Sequence, residues 1–479
     1  MLKKTKICAT IGPACADVKV QVKMIRAGMN VARLNFSHGT HEEHEKLFNN
    51  LRRAEAATGE PLAIMGDLQG PKIRLGVLPK EGVTLRERQT VSLNTCGDKS
   101  GPGELPIDFA DLHKYVQSGE RILIDDGRVE IKITEVKGTR IAGQVVEGGI
   151  ITSNKGLNLP DSSLSVTALS EKDKSDLKFA VKLGVDLLAV SFVKNARDIL
   201  DVKFLIKQYE QELGRKSEQP IRIIAKIERH EGVENITEIL EAADGAMVAR
   251  GDLGLEIPAA EVPLAQKRII DSARKIAKPV MVATQMLDSM RESRRPTRAE
   301  VSDVANAVID HADALMLSNE TSVGKHPALV VETMSEIIRA TEKSAYDDTS
   351  LPAIYRRNAS VDTAVSELSR VLAEEVDAKI ILAASLTGDT GRLISHVRPQ
   401  LPILVATGGE RVRRQLNLSW GVVPFVLVPC HTIEELIERA IAYIKKNKIA
   451  KKGERMIVVA GEPVGQAGNV NLVEVREIK

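Results

Sequence analysis

Eight short apolar runs, most followed by a stretch with helical periodicity, constrain the fold of this chain more than any other feature. They cover residues 6–12, 30–36, 63–68, 187–193, 223–228, 245–250, 279–284 and 314–318. Helical spacing of apolar residues follows at 18–27, 41–57 and 262–277. Near-continuous hydrophobic strands alternating with helices predict a parallel sheet covered on both faces. Eight such units predict a closed (β/α)8 barrel, whose active site lies at the C-terminal ends of the strands. Polar residues collect at those ends: Arg33, Asn35, Asp67, Lys226, Glu228, Asp252 and Thr284. An open doubly wound sheet has no reason to gather chemistry from so many strand ends.

The gap between the third and fourth runs is too long for a loop. Within it, residues 82–87, 89–94, 121–124, 129–136 and 140–147 are rich in Val, Ile and Thr and broken by glycine turns. This predicts an inserted all-β domain. It leaves and re-enters at the site end of the barrel, so it is placed to act as a lid. A helix near 328–344 closes the barrel pattern, and a polar, proline-containing connection at 346–358 follows. Strands at 379–385, 402–407, 422–428, 455–461 and 472–478, with helices between, predict a third, α/β domain. The expected boundaries are 1–70 with 167–345 for the barrel, 71–166 for the insert and 346–479 for the last domain.

Composition narrows the partners. Lysine plus arginine total 67 against 65 acidic residues, a net charge of +2, which gives no general attraction to nucleic acid or anionic membrane. Aromatic residues make up 3%, with one tryptophan, Trp420, so base-stacking platforms are not expected. Cys8, Cys15, Cys96 and Cys430 form no C-x-x-C pair, and reduced thiols are expected. The N-terminus lacks the apolar core of a secretory signal, and no run approaches a membrane span, so a cytoplasmic protein is expected. The basic run at 445–452 reads as a solvated helix end.

The chemistry is concentrated in three places. Side chains two apart on a strand share a face, so Lys226 and Glu228 point the same way. Burying such charges unpaired costs several kcal/mol or more. A cation converging with two carboxylates, Glu228 and Asp252, points to a divalent metal beside a site where negative charge develops; a structural Lys–Glu pair is the competing reading. Gly251 can bring its backbone N–H close to an anion. Arg33 and Asn35 share one face aimed at the barrel mouth, where a guanidinium suits phosphate. The turn Gly66-Asp-Leu-Gln-Gly-Pro-Lys72-Ile-Arg74 carries two cations where the insert begins, and Lys155 lies where it ends. His38, His41 and His44 do not form an H-E-x-x-H motif. The stretch Asn319 to Lys325 lacks the first glycine and the Ser/Thr of a P-loop.

The ordered blocks Arg33-Leu-Asn-Phe-Ser-His-Gly39, Asp67-Leu-Gln-Gly-Pro-Lys72, Ser170-Glu-Lys-Asp173, Lys226-Ile-Glu228 and Met247-Val-Ala-Arg-Gly-Asp-Leu-Gly254 resemble the pyruvate kinase family. So do Ala283-Thr-Gln-Met286, Pro296-Thr-Arg-Ala-Glu300 and Met316-Leu-Ser-Asn-Glu-Thr321. The resemblance spans nearly the whole chain. It implies transfer of a phosphoryl group from phosphoenolpyruvate to ADP, giving pyruvate and ATP. It implies that Glu228 and Asp252 bind Mg2+ or Mn2+, and that Lys226 stabilises charge on the phosphoryl group and the enolate. Arg33 and Arg74 would hold the phosphoryl group, while Gly251, Asp252 and Thr284 cradle the substrate carboxylate. Asn35, His38, Arg74 and Lys155 would serve the nucleotide, and Thr284 or Ser318 would relay a proton.

Many members of the family need a monovalent cation near the positions of Asn35, Ser37, Asp67 and Leu68, and carry glutamate where this chain has Lys72. The expectation is that the Lys72 ammonium replaces potassium. The last domain resembles the family's regulatory domain. Its loop Thr387-Gly388-Asp389-Thr390-Gly391-Arg392 is a phosphate cradle candidate opposite residues 461–468. Asp389 and Glu462 would oppose a doubly phosphorylated sugar, so AMP or a sugar monophosphate is the expected effector, and a homotetramer the expected assembly. The alternatives are a magnesium-dependent, enolate-forming carbon–carbon lyase on a similar barrel, and a non-catalytic effector-binding relative.

Overall fold

A computed structural model describes residues 3–95, 103–162, 169–214, 219–348, 360–465, 468 and 470–479. Eight parallel strands close into a barrel: β1 (Lys6–Thr10), β2 (Val31–Asn35), β3 (Ala63–Asp67), β4 (Leu187–Val190), β5 (Arg222–Ile227), β6 (Gly245–Ala249), β7 (Val280–Ala283) and β8 (Ala314–Leu317). Each pairs with its sequence neighbours, and β1 pairs with β8 to complete the ring. Helices Val18–Ala27, His41–Thr58 and Val262–Lys275 lie where the periodicity predicts them. Asp17, Thr40 and Ser170 accept backbone N–H bonds at helix starts, and glycines in the left-handed conformation end three helices at Gly28, Gly59 and Gly184.

Two apolar clusters sandwich the barrel wall. The outer one packs strands against helices, with Ile7, Leu34, Ile64, Leu188 and Val248 among its members. The inner one fills the barrel with Cys8, Val31, Met65, Ile224, Met247, Met281 and Met316. Strand alternation then dictates what stands at the mouth. Two residues beyond Val31, Met65 and Ile224 come Arg33, Asp67 and Lys226. Leu418 of the C-terminal domain joins the inner cluster and caps the opposite end of the barrel.

The insert forms a seven-stranded sheet around its own core of Leu93, Ile122, Ile131 and Ile141, plus a two-stranded ladder of Val83–Leu85 with Gly149–Ile151. Four short strands escape the sequence pattern: Ile73–Arg74, Glu104–Pro106, Gly149–Ile151 and Gly156–Asn158. They are too short to alternate, and glycine, proline and asparagine weaken their strand signal. The C-terminal sheet runs Val422–Val426, Ile403–Thr407, Ile380–Ala384, Arg455–Ala460, Leu472–Glu477, with only the last strand antiparallel. Apolar clusters cover both of its faces. Most of the 346–358 connection, and Cys96, fall outside the described residues. Cys8, Cys15 and Cys430 are free thiols. Among the described residues no helix is long and apolar enough to cross a membrane.

Candidate active site

Lys226 is the hub of the barrel mouth. It is buried at the end of β5, with Nζ 2.5 Å from Ser191 Oγ, 3.0 Å from Glu228 Oε1 and 3.2 Å from Asp67 Oδ1. Burial alone would lower its pKa, but the Asp67 and Glu228 carboxylates outweigh it and hold the ammonium above its usual value. Asp67 also takes Arg33 Nε at 2.5 Å. Burial opposes its charge, yet Lys226 and Arg33 win and its pKa falls. Arg33 is fixed from a second side by Thr10 Oγ1, 3.0 Å from Nη1. The result is a buried, alternating array of charges that would be costly without each partner.

Glu228 lies just past β5, where its Oε2 accepts the Phe192 backbone N–H at 2.7 Å. Phe192 holds a positive φ of 56°, the turn that ends β4 earlier than the apolar run suggests and aims this N–H at the carboxylate. Burial raises the Glu228 pKa; Lys226 opposes this and the nearby Asp252 charge adds to it. Asp252 follows β6 in the helix Arg250–Glu256 and receives Lys72 Nζ at 3.2 Å from the insert. Gly156 makes that reach possible: a Cβ there would stand 2.7 Å from Lys72 Cε. Thr284 and Gln285 are consecutive left-handed residues, φ 75° and 56°, at the end of β7. They bring Thr284 Oγ1 to the Gly251 N–H at 2.9 Å. Arg250 locks this turn, with both terminal nitrogens 2.7 Å from Asp303 and Nη2 on the Thr284 carbonyl at 2.9 Å.

Arg33, Asn35, His38 and Ser318 line one cleft of about 840 Å³ beside this array. Burial lowers the His38 pKa, and Arg74, Arg33, Lys172 and Lys72 push it further, so several cations converge on this wall. Asn35 Oδ1 accepts the Ser37 N–H at 3.2 Å, and Leu68 is buried. Arg74 and Lys155 stay within the insert: Arg74 Nη1 donates to the Asn154 carbonyl at 3.0 Å, and Lys155 Nζ pairs with Asp125 at 2.7 Å. Lys72 rests on Asp252 rather than in the Asn35, Ser37 and Asp67 region, because Arg33 and Lys226 already occupy Asp67. His41 bonds Asp176 and stacks on Phe179, while His44 bonds the His38 carbonyl, so these histidines do not converge on a metal.

Ser191, Thr10 and the Phe192 N–H were missed from sequence. Ser191 and Thr10 obey the same rule as the residues that were found, a polar side chain at the end of an apolar run. Phe192 could not be read, because its contribution is a backbone turn.

In the C-terminal domain Thr387, Asp389 and Thr390 line a pocket of about 180 Å³ together with Gly461, Gly465 and Gly468. Arg392 turns away from it. Its Nη2 donates to the Thr387 carbonyl (2.7 Å) and to Asp389 (2.6 Å), so the arginine neutralises Asp389 instead of facing a ligand. Gly388, with φ 84°, makes the turn, and Gly391 packs where a Cβ would meet Val405 at 2.6 Å.

Carboxylates, a buried ammonium and a guanidinium at a barrel mouth, under a β insert that supplies further cations, define a barrel enzyme for a phosphorylated anionic substrate. Comparison with known proteins gives the particular family. Residues 2–331 match the model for "Pyruvate kinase, barrel domain", and residues 363–476 that for "Pyruvate kinase, alpha/beta domain". The chain is 44% identical to the pyruvate kinase of Corynebacterium glutamicum, covering 99% of this chain and 98% of that one. It is 41% identical to the pyruvate kinase of Mycobacterium tuberculosis, covering 100% and 99%. A solved pyruvate kinase from Cryptosporidium parvum superposes with a TM-score of 0.92 at 36% identity, covering 100% of this chain and 96% of that one. The chain belongs to the pyruvate kinase family, phosphotransferases that convert phosphoenolpyruvate and ADP to pyruvate and ATP. The lyase and non-catalytic alternatives are set aside.

Proposed function

We propose that Lys226, Glu228 and Asp252 divide the phosphoryl transfer between them. Glu228 and Asp252 would hold a divalent cation, Mg2+ or Mn2+. Both are hard oxygen donors, and the burial and the Asp252 repulsion that together raise the Glu228 pKa are what a bound cation would relieve. When bound, that ion neutralises charge on the carboxylate and phosphoryl oxygens of phosphoenolpyruvate. Lys226 meets the charge as it moves from the phosphoryl group to the enolate. The observation that carries this reading is its ammonium, buried and poised between Ser191, Glu228 and Asp67. Phosphoryl transfer needs positioning and charge neutralisation more than covalent help.

Arg33, braced by Thr10 and Asp67, and Arg74 hold the phosphoryl group in line. Thr284 and the Gly251 and Asp252 N–H groups cradle the carboxylate once the Gly251–Thr284 bond opens. Asn35, His38, Arg74 and Lys155 serve the nucleotide, and Thr284 and Ser318 flank the proton route to carbon. Lys72 does not occupy the Asn35, Ser37 and Asp67 region; from its place on Asp252 it supplies a positive charge to the same site, so no added K+ is required. The barrel (1–70 and 167–345), the insert (71–166) and the regulatory domain (346–479) act as separate bodies. The pocket at Thr387, Gly388, Thr390 and Gly391 takes AMP or a sugar monophosphate, with Arg392 shaping the loop. The enzyme works in the cytoplasm as a homotetramer, which the exposed Val361 and Leu368 on one helix of the regulatory domain support.

A coupled assay tests the core of this reading. ADP-dependent pyruvate formation should vanish in Lys226→Met with the fold intact; a variant that keeps even a tenth of wild-type turnover would refute the assignment.

A further inference from the structure

The insert leaves the barrel through a turn at residues 68–72, just past β3, and the chain returns to the barrel at the helix Glu171–Leu183. One carboxylate touches both ends. Asp173 is fully buried in the first turn of that helix. Its Oδ2 accepts the Ser170 N–H at 2.9 Å and the Ser170 hydroxyl at 2.5 Å, and the Asp173 N–H donates back to Ser170 Oγ at 3.1 Å. That exchange is a capping box, and it uses one of the two carboxylate oxygens. The other, Oδ1, accepts the Gly70 N–H at 2.9 Å from the far side of the insert in sequence. The neighbouring Lys172 and Lys174 pair with Asp176 and Glu171 instead, so hydrogen bonds are what offset the burial of the Asp173 charge.

Gly70 occupies a position that admits no other residue without a shift. Its φ is +74°, and a Cβ there would stand 2.7 Å from Phe192 Cδ2 and 2.9 Å from Ser191 Cβ. The turn thus lies directly on Ser191 and Phe192, the two residues that hold Lys226 Nζ (2.5 Å) and Glu228 Oε2 (2.7 Å). Ser191 Oγ also donates to the Leu68 carbonyl at 2.8 Å, within the same turn. On its other side the Lys72 N–H donates to the Gly70 carbonyl at 2.9 Å, so the turn sets where the Lys72 side chain starts on its way to Asp252. Gly70 therefore stands between the charges of the barrel site and the cation that the insert brings to it, and Asp173 holds Gly70.

We propose that Asp173 is a positioning residue for phosphoryl transfer: it pins the turn by which the insert leaves the barrel, and through Gly70 it keeps Lys72 on Asp252 and the Ser191–Phe192 turn on Lys226 and Glu228. A helix cap alone would stabilise the helix and leave turnover untouched. This role rests on the assignment of Lys226, Glu228 and Asp252 to the transfer, whose own failure would show as turnover retained in Lys226→Met.

Hydrogen–deuterium exchange and turnover of the full-length protein, measured in Asp173→Asn and Ser170→Ala, separate the pin from the cap. Asparagine offers one acceptor oxygen in place of two. The two donors of Ser170 outcompete the one of Gly70, so Asp173→Asn keeps its cap and turns an amide NH2 against the Gly70 N–H. Exchange in residues 66–74 should rise by about tenfold or more while the helix start stays within about twofold. The kcat should fall about tenfold. Ser170→Ala frays the cap but leaves Oδ1 on Gly70: exchange should rise at the helix start and not in 66–74, with kcat within about twofold of wild type. Unchanged turnover in Asp173→Asn, slow exchange retained at 66–74, or an equal loss of turnover in Ser170→Ala overturns the proposal. Should Asp173→Asn fail to fold, exchange of the wild type in rising urea decides: 66–74 and 170–177 should lose protection together, and loss at separate urea concentrations overturns it.

Discussion

Lys72 of the insert and Asp252 of the barrel meet with Nζ 3.2 Å from Oδ1, a salt bridge that crosses between the two bodies at the candidate metal site. A positive charge is thus delivered to the site by the chain itself. In tetraalkylammonium buffer without KCl, the wild-type enzyme should be fully active. Lys72→Glu should lose about tenfold in kcat without KCl, the scale of one charge-assisted contact, and recover with it. Strong KCl activation of the wild type would contradict this role.

Gly156 offers an independent test of the same contact. A methyl group there would crowd Lys72 Cε, the far end of a flexible side chain, rather than backbone. Gly156→Ala should fold normally and become partly KCl-activated, between the wild type and Lys72→Glu. Melting curves and KCl titrations of the three proteins check the order.

Ser191 is bonded to Lys226 and to the Leu68 carbonyl at 2.8 Å, and serves to aim the ammonium. Ser191→Ala should lower kcat by about tenfold, since one hydrogen bond to a charged group is lost. The KM for ADP should not move, and Ser191→Thr should restore most of the rate. An unchanged kcat would make Ser191 a packing residue.

Glu256 gives a pH signature. Burial raises its pKa to about 7; Arg229 opposes the shift and Glu231 adds to it. The folded state holds this proton more tightly than the unfolded chain, whose pKa lies near 4.5. Its stabilising contribution is complete below that value and is lost as the pH rises through about 7. Glu256→Gln should therefore match the wild-type melting temperature at pH 5 and exceed it by a few degrees at pH 8. A gap independent of pH would contradict the assignment.

The eight barrel strands were legible because each is an apolar run ending in charge. The inward file Ile224, Lys226 and Glu228 needed only strand alternation to place it. Gly156–Asn158 was not legible, since three residues carry no period, and with it went the reason Lys72 can reach Asp252. The left-handed turns at Phe192 and at Thr284–Gln285 were hidden too: nothing in those side chains demands a positive φ, and the surrounding packing imposes it. Arg392 illustrates the converse. A cation in a glycine-rich loop reads as a ligand contact, but a carboxylate three residues earlier captures it.

The most direct test of the division of labour is Mn2+ binding, followed by its electron paramagnetic resonance signal in the presence of phosphoenolpyruvate, alongside turnover. Lys226→Met should bind Mn2+ like the wild type while turnover disappears, and Glu228→Gln and Asp252→Asn should each weaken Mn2+ binding at least tenfold. Loss of Mn2+ affinity in Lys226→Met, or its retention in both carboxylate variants, would contradict the account.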